Sequence, residues 1–171
     1  MFVTHSEMFK QGMRRLAAGV SVVTTIEDGQ PHGFAATSVT SVSADPAPLL
    51  LVCVSKTVSC HDMIVRTGKF CVNVLRETDI ETARLFSSSE HRHRRFELCD
   101  WKILATGAPV LTNALANFDC SVQHAMEVQS HTVFFGKVEE IALLGEDVHP
   151  LLYVNGQFDG LRSVFPTVAH G

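Results

Sequence analysis

A segment with a high hydroxyl content, Thr37 to Ser43, carries the clearest sign of chemistry in this sequence. Five of its seven residues are Ser or Thr and the other two are Val, a composition that favours an extended backbone. A half-buried strand normally places polar side chains on one face only, whereas these hydroxyls fall on both faces. The pattern predicts a strand that hydrogen-bonds a polar, planar ligand. The alternative is an exposed Ser/Thr edge strand that binds nothing.

Motifs that would place strong catalytic groups are absent from the sequence. There is no Gly-x-Gly-x-x-Gly or Walker-type phosphate loop, no Gly-x-Ser-x-Gly nucleophile elbow, and no Cys-x-x-Cys or His-x-x-x-His zinc spacing. The adjacent pair Cys60-His61 cannot chelate a metal well by itself, so no metal site is predicted. A chain this poor in catalytic side chains fits an enzyme whose cofactor carries the chemistry.

Composition limits the classes of function. A length of 171 residues suits one domain, expected over 1–171, with a core at about 7–158 and a C-terminal tail at about 162–171. The net charge of −4 argues against a nucleic-acid partner, and no apolar run approaches the roughly 18 residues that span a membrane. The N-terminus lacks the pattern of a secretory signal. Five cysteines without paired spacing indicate reduced thiols and a cytoplasmic location.

Hydrophobic periodicity and turn signals predict the elements that must position these groups. A capping box at Thr4-x-x-Glu7 predicts an amphipathic helix over about 5–18. Caps at Ser59 and Thr78 predict two more short helices, the first of them ending near Gly68. Seven apolar or β-branched stretches predict strands, at 20–26, 33–43, 49–54, 70–75, 118–123, 131–139 and 151–154. Since most connections are too short for parallel crossovers, the prediction is a mainly antiparallel β-barrel with helices at its rim.

The order of these segments along the chain is a more specific sign of family than any single segment is. An Arg-rich amphipathic helix is followed by a series of apolar and hydroxyl-bearing runs: Ala18-Gly-Val-Ser-Val-Val-Thr-Thr25, Gly33-Phe-Ala-Ala-Thr-Ser-Val-Thr-Ser-Val-Ser43, Asp45-Pro46, Leu49-Leu-Leu-Val-Cys-Val54, Phe70-Cys-Val-Asn-Val-Leu75, Phe86, Arg95-Phe96, Leu115-Ala-Asn-Phe-Asp-Cys120 and His131-Thr-Val-Phe-Phe-Gly136. Across about 7–158, the chain closely resembles the short-chain NAD(P)H:flavin reductases. These serve as small components of two-component monooxygenases, and the group includes the corrin reductases.

This resemblance implies both a fold and a function. The fold would be an FMN-binding split β-barrel, antiparallel and Greek-key-like, with short flanking α-helices. The protein would form a homodimer, bind FMN or FAD partly at the subunit interface, and use NADH or NADPH as hydride donor. Reduced flavin, or its electrons, would pass to a separate monooxygenase or to an acceptor such as a cob(II) corrinoid. The alternatives are a non-catalytic flavin- or haem-binding module on the same barrel, an enzyme like pyridoxamine-phosphate oxidase, and a purely structural protein.

The resemblance also implies which residues bind the cofactor. The residues expected along the flavin ring are Ala36, Thr37, Ser38, Val39, Thr40 and Ser41. The residues expected to hold the flavin phosphate are Ser55, Lys56, Thr57, Val58 and Ser59. The chemistry of this second segment agrees, since a lysine, hydroxyls and the N–H groups of a helix start suit a phosphate. His131 is expected beside the nicotinamide as the catalytic residue. Further expected cofactor contacts are Cys53, Phe86, Ser87, Arg95 and Tyr153.

Ordinary structural roles stand as alternatives for several of these residues. Ser59 also suits a plain N-cap, and Phe86 suits a core position that closes a helix. A histidine at the start of a strand, such as His131, is commonly structural. Arg95 belongs to a basic run that begins at His91, and most such runs lie in solvated loops.

Two segments depart from the family pattern where the nicotinamide nucleotide is expected. Relatives often carry Gly-Asp before the histidine, whereas this chain has Gln129-Ser130. Relatives often carry arginines and a histidine near the final strand, whereas this chain has Tyr153-Val-Asn-Gly-Gln-Phe-Asp159. These departures bear on the nicotinamide nucleotide more than on flavin binding.

Overall fold

The structure is a computed structural model, and it describes residues 3–90, 92–146 and 148–161. The tail predicted at about 162–171 and His91 of the basic run therefore lie outside the described residues. Within the described ranges, no helix combines the length and the apolar character that crossing a membrane requires.

Helix α1 begins as predicted but ends early. The described α-helices are α1 (His5–Met13), α2 (Cys60–Thr67) and α3 (Ile80–Ser87), and a 3-10 turn lies at Arg95–Glu97. The capping box forms: Thr4 Oγ1 accepts a hydrogen bond from Glu7 N, and the Glu7 carboxylate accepts one from Thr4 N. The predicted extent to about 18 is wrong, because the Arg14 carbonyl accepts from Asn155 N at 2.6 Å and the chain leaves the helix. No residue of α1 is buried, so its apolar side chains are exposed.

Helices α2 and α3 lack the side-chain caps predicted for them. Ser59 stands at the N-cap of α2 with helical backbone angles, and its hydroxyl makes no capping hydrogen bond. The predicted end of α2 is confirmed at Gly68, whose positive φ of 64° suits glycine. The N-cap of α3 is Asp79 rather than Thr78, and the Asp79 carboxylate accepts instead from Arg76 N at 3.0 Å. The Ser59 hydroxyl is therefore not used by the helix that it precedes.

Twelve strands form in the described residues, and every pair is antiparallel. They are β1 (Ala18–Gly19), β2 (Ser21–Glu27), β3 (Gln30–Ala36), β4 (Val39–Ser43), β5 (Leu49–Ser55), β6 (Lys69–Val74), β7 (Trp101–Ile103), β8 (Pro109–Leu111), β9 (Ala116–Val128), β10 (His131–Leu143), β11 (Leu152–Val154) and β12 (Gln157–Asp159). The mainly antiparallel β class is confirmed. Four short strands, β1, β7, β8 and β12, were not predicted, because none exceeds three residues.

Seven of the strands form one sheet in the order β3-β2-β6-β9-β10-β5-β4. Its two edge strands, β3 and β4, are joined only by Thr37 and Ser38. Two extended residues span about 7 Å, whereas an open sheet of seven strands is about 29 Å wide. The sheet must therefore curl until its edges meet, which confirms the predicted split barrel. The single strand predicted over 33–43 is wrong: it is two strands, broken where the chain changes edge.

Two large apolar clusters and a smaller one around Cys71, Ala108 and Val110 hold the described part of the barrel together. Inside the barrel, Phe70 and Phe134 are fully buried with the inward side chains of the sheet. On the outer side of β2 and β6, a second cluster includes Val22 and Phe86 and is covered by α3 and β11. Strand β2 is therefore buried on both faces over most of its length. Among the described residues, outer-face side chains near the end of β9, such as Met126 and Val128, remain exposed.

Candidate flavin-binding site

A cavity of about 170 Å³ opens where the C-terminal end of α3 meets β3 and the segment before α2. Six of the predicted cofactor residues line it, namely Thr57, Val58, Ser59, Phe86, Ser87 and Arg95. Gly33 and Arg92 also line this cavity. Hydroxyls and guanidinium groups that face one small space suit an oxyanion such as phosphate. We call this space the phosphate cavity.

Arg95 is the charged group built into the phosphate cavity. The residue is 5% exposed, so the solvated-loop alternative for it is wrong. Its Nη1 donates to the Gly33 carbonyl at 2.6 Å, and its Nη2 donates to the Ser88 carbonyl. Burial lowers the pKa of the guanidinium, which nevertheless stays charged. Its buried Nε has no hydrogen-bond partner among the described residues, and such an unpaired donor is unfavourable. An anion in the cavity would supply the missing acceptor.

A second cavity, of about 340 Å³, adjoins the first, and Ser87 lines both. Its other lining residues include three of the predicted ones, Ala36, Thr37 and Tyr153, together with the apolar Val20, Ala35 and Phe158. The Tyr153 and Phe158 rings pack edge-on, with centroids 5.4 Å apart. A mostly apolar slot with a few hydroxyls at its rim suits a planar aromatic ring. We call this space the ring cavity.

The two cavities together match the chemistry of a flavin nucleotide. The phosphate cavity offers a buried cation and hydroxyls, and the ring cavity offers an apolar slot next to it. Just over half of the predicted site residues line one or the other. When bound, a flavin supplies the two-electron redox chemistry that the side chains of this chain lack.

The rest of the hydroxyl-rich segment lies along an open edge of the barrel. Thr40 and Ser41 are exposed on the edge strand β4, next to the half-buried Val39. The hydroxyls occupy both faces of this strand because most of the strand is exposed. Ser38 Oγ donates to the Cys53 carbonyl at 2.8 Å, which fastens the chain where it passes from one edge to the other. None of these five residues lines the two cavities.

His131 and Lys56 lie next to each other, outside the two cavities. His131 begins β10, directly opposite Ser55 of β5. Ser130 Oγ lies 2.9 Å from His131 Nδ1, and the Ser130 carbonyl accepts from Lys56 N at 2.9 Å. Lys56 Nζ donates to the Glu127 carboxylate at 2.5 Å. The segment that begins at Ser55 thus joins the surroundings of His131 to the phosphate cavity.

The turn before His131 uses an unusual backbone conformation. Gln129 has a positive φ of 50°, a conformation that favours glycine. The chain therefore makes this sharp turn with a residue for which the backbone is strained by about 1–2 kcal/mol.

Sequence reasoning missed two residues that shape the site. Gly33 lies against Phe86, and an added Cβ would be 2.8 Å from Phe86 Cε1. A glycine at the start of a predicted strand was the available signal for such a close approach. His61 places Nε2 2.8 Å from Thr132 Oγ1 and Nδ1 2.6 Å from Asp62 Oδ1. It ties the start of α2 to β10 beside the catalytic candidate. No local pattern signals this contact, because the two residues are far apart in sequence.

The cysteines do not supply a nucleophile to this site. All five thiols are unpaired. Burial raises the pKa of Cys60, the residue after Ser59, to about 11, so this thiol is protonated at neutral pH. In the part of the chain that the structure describes, no group of three or more His, Cys, Asp or Glu residues is arranged to hold a metal ion. Cofactor binding is the chemistry that the site favours.

Known proteins resemble this chain in sequence and in fold. Residues 13–162 match the family described as Flavin reductase like domain. The reductase subunit HsaB of a flavin-dependent monooxygenase from Rhodococcus jostii is 38% identical over 154 residues, covering 90% of this chain and 77% of that protein. The FMN reductase (NADH) RutF from Pantoea ananatis is 35% identical over 153 residues, covering 90% of this chain and 80% of that protein.

The fold agrees with these matches. The solved structure of SgcE6, an NADH:FAD oxidoreductase from Streptomyces globisporus in complex with NAD and FAD fragments, superposes with a TM-score of 0.86 at 28% identity. The match covers 96% of this chain and 98% of that one. The resemblance inferred from the order of the segments is confirmed, and this chain belongs to the family of flavin reductase like domains.

Proposed function

We propose that this chain is an NAD(P)H:flavin oxidoreductase that transfers a hydride from NADH or NADPH to FMN or FAD. The observation that carries the proposal is the pair of adjoining cavities, one with the unpaired Arg95 Nε and the other an apolar slot beside Tyr153. Similar proteins named as an FMN reductase (NADH) and an NADH:FAD oxidoreductase support it. In this proposal the whole chain acts as one flavin reductase-like domain.

The side chains of the site bind and orient rather than act as acid or base. Holding two reactants in the correct geometry removes much of the entropic barrier to reaction. Arg95 and the Ser59 hydroxyl hold the phosphate, which gives the Arg95 Nε its acceptor. Thr37 and Ser87, at the rim of the ring cavity, hydrogen-bond the polar edge of the ring, and donors placed there stabilise developing negative charge.

The outer face of β5, β9 and β10 supports a homodimer. This face includes one wholly apolar row of cross-strand neighbours, Cys53, Val133 and Met126. Met126 and Val128 are 46% and 44% exposed, and exposed apolar side chains grouped on one face normally mark an interface. We propose a second copy of this chain as its occupant, as the family resemblance implies. His131 lies at the border of the same face, so the nicotinamide site would lie between two subunits.

The acceptor in this proposal is a separate monooxygenase that takes up the reduced flavin. The similar protein HsaB is named as the reductase subunit of a flavin-dependent monooxygenase. A cob(II) corrinoid is the second candidate acceptor. A cytoplasmic location is part of the proposal, and the five unpaired cysteines support it because thiols stay reduced in that compartment.

The test is the loss of NADH absorbance in the presence of FMN or FAD. The wild-type chain should oxidise NADH only when flavin is added. Ser59→Ala should raise the KM for flavin without changing stability, since its hydroxyl caps no helix. Thr112→Ala, at a residue that lines neither cavity, is the matched control. Flavin binding without NADH oxidation would favour the non-catalytic module, and a Soret band would indicate haem.

A further inference from the structure

A third cavity, of about 650 Å³, opens next to the phosphate cavity. It lies between the β2–β3 hairpin, the start of α2 and the segment from Arg92 to Trp101. Ser59 and Arg92 line both this cavity and the phosphate cavity. A ligand bound at the phosphate cavity could therefore extend into this space without crossing the protein.

Aromatic side chains connect the phosphate cavity to the third cavity. The Phe86 ring, in the wall of the phosphate cavity, packs edge-on against Phe96 with centroids 5.3 Å apart. Phe96 packs in the same way against Trp101 at 5.8 Å, and both line the third cavity. Trp101 is the only tryptophan in the chain and is half-buried. An aromatic face at the wall of an open cavity is a stacking platform for a nucleobase.

The third cavity also has charged groups in its wall. Arg92, which lines the phosphate cavity as well, supplies a positive charge, and Asp28, at the tip of the hairpin, supplies a carboxylate. Carboxylates commonly accept hydrogen bonds from ribose hydroxyls. His32 also lines the cavity. Burial lowers the pKa of its imidazole, so the side chain offers hydrogen bonds as a neutral group. Glu27 is held by Arg66 through two hydrogen bonds, at 2.6 and 2.9 Å.

We propose that the third cavity binds the adenosine 5′-phosphate half of FAD, with the adenine against Trp101, so that this chain prefers FAD to FMN. The inference rests on the proposed function and adds a choice of flavin to it. A cavity of this size falls within the range of about 300–1,000 Å³ found for ligand sites. The same adenosine phosphate group also occurs in NADH, so the experiment must distinguish the two sources.

The test compares calorimetric titrations of FAD, FMN and AMP into the wild-type chain and into Trp101→Ala. Wild type should bind FAD at least about fivefold more tightly than FMN, since stacking of one base on an aromatic ring has that magnitude. Trp101→Ala should bind FAD and FMN equally, with the FMN affinity unchanged. AMP alone, but not inorganic phosphate, should change the fluorescence of the single tryptophan.

A second variant keeps the test valid if Trp101→Ala unfolds. Met63→Trp places a large ring in the third cavity from α2 and should also abolish the preference for FAD. Lys102→Ala, at the exposed neighbour of Trp101, is the control and should retain it. Equal affinity of wild type for FAD and FMN would overturn the inference. So would variants that raise only the KM for NADH, because the cavity would then bind the adenosine of the hydride donor. Failure to bind either flavin would instead overturn the proposed function.

Discussion

Replacement of Gly33 by alanine tests the wall of the phosphate cavity with a single methyl group. An added Cβ would lie 2.8 Å from Phe86 Cε1, 3.1 Å from Phe86 Cδ1 and 3.1 Å from the Val23 carbonyl oxygen. Carbon atoms in favourable contact are about 3.5–4.0 Å apart, so the ring would have to retreat by roughly 0.7 Å. Phe86 is 1% exposed and is packed against Phe96 and under the Arg95 guanidinium. The ring therefore has little room to move.

The expected loss of stability follows from this crowding. Inserting a methyl group into a packed core costs about 1–3 kcal/mol. For a chain of this length, each kcal/mol lowers Tm by about 2–4 °C, which gives a decrease of about 2–12 °C. Flavin affinity should fall as well, because Phe86 lines the cavity and Arg95 donates to the Gly33 carbonyl.

Thermal unfolding followed by circular dichroism measures the first effect, and fluorescence titration with FMN measures the second. Gly12→Ala is the control, since an added Cβ there meets nothing within 4 Å, and helix propensity should raise stability by about 0.5–1 kcal/mol. Adding Phe86→Leu to Gly33→Ala should cost less than the sum of the two single changes. If Gly33→Ala melts like wild type and binds FMN equally well, the described contact between this strand and α3 is incorrect.

Four further predictions concern binding, assembly and pH. Lys56 lies outside the phosphate cavity but precedes Thr57 in its wall, so Lys56→Glu should weaken flavin binding about tenfold by repelling the phosphate and leave Tm unchanged. Glu127→Gln should strengthen binding by freeing Lys56, and equal Kd values would show that Lys56 does not act on the flavin. His131→Ala should raise the KM for NADH while the flavin Kd is kept, and an unaltered KM would remove His131 from the nicotinamide site. Val133→Glu should give a monomer in sedimentation velocity, whereas a persistent dimer would place the interface elsewhere. Burial raises the pKa of Cys60 to about 11, so the folded state holds this proton more tightly than the unfolded state. The contribution of this thiol to the unfolding free energy in urea should therefore be steady below pH ~9 and fall towards pH ~11. Burial raises the pKa of Cys99 and Cys120 as well, so Cys60→Ala should decline less steeply than wild type over this range, and an identical decline would refute a part played by Cys60.

Local pattern was sufficient for most of the barrel. The strands at 49–54, 70–75 and 131–139 were predictable because apolar and β-branched residues predominate in them, as they do in strands of a buried sheet. The break at Thr37 and Ser38 was not predictable, since the residues on both sides favour extended structure. Only the pairing of β3 with β2 and of β4 with β5 reveals that the chain changes edge.

For the site, too, local sequence indicated some residues, whereas the roles of others depend on contacts between distant segments. Arg95 belonged to a run of basic residues that looks solvated, and its burial depends on the Gly33 and Ser88 carbonyls, which only the fold brings near. The contact of His61 could not be predicted for the same reason, because its partner Thr132 belongs to a distant strand. By contrast, the residue types of the segment from Ser55 to Ser59 favoured phosphate binding by themselves, and three of these five residues, Thr57, Val58 and Ser59, line the phosphate cavity.

A crystal structure of the chain with bound FAD tests the central claim most directly. We expect the flavin phosphate within hydrogen-bonding distance of Ser59 Oγ and Arg95 Nε, and the ring in the cavity beside Thr37 and Tyr153. A flavin bound elsewhere, with both cavities empty in a protein that still oxidises NADH, would contradict the account.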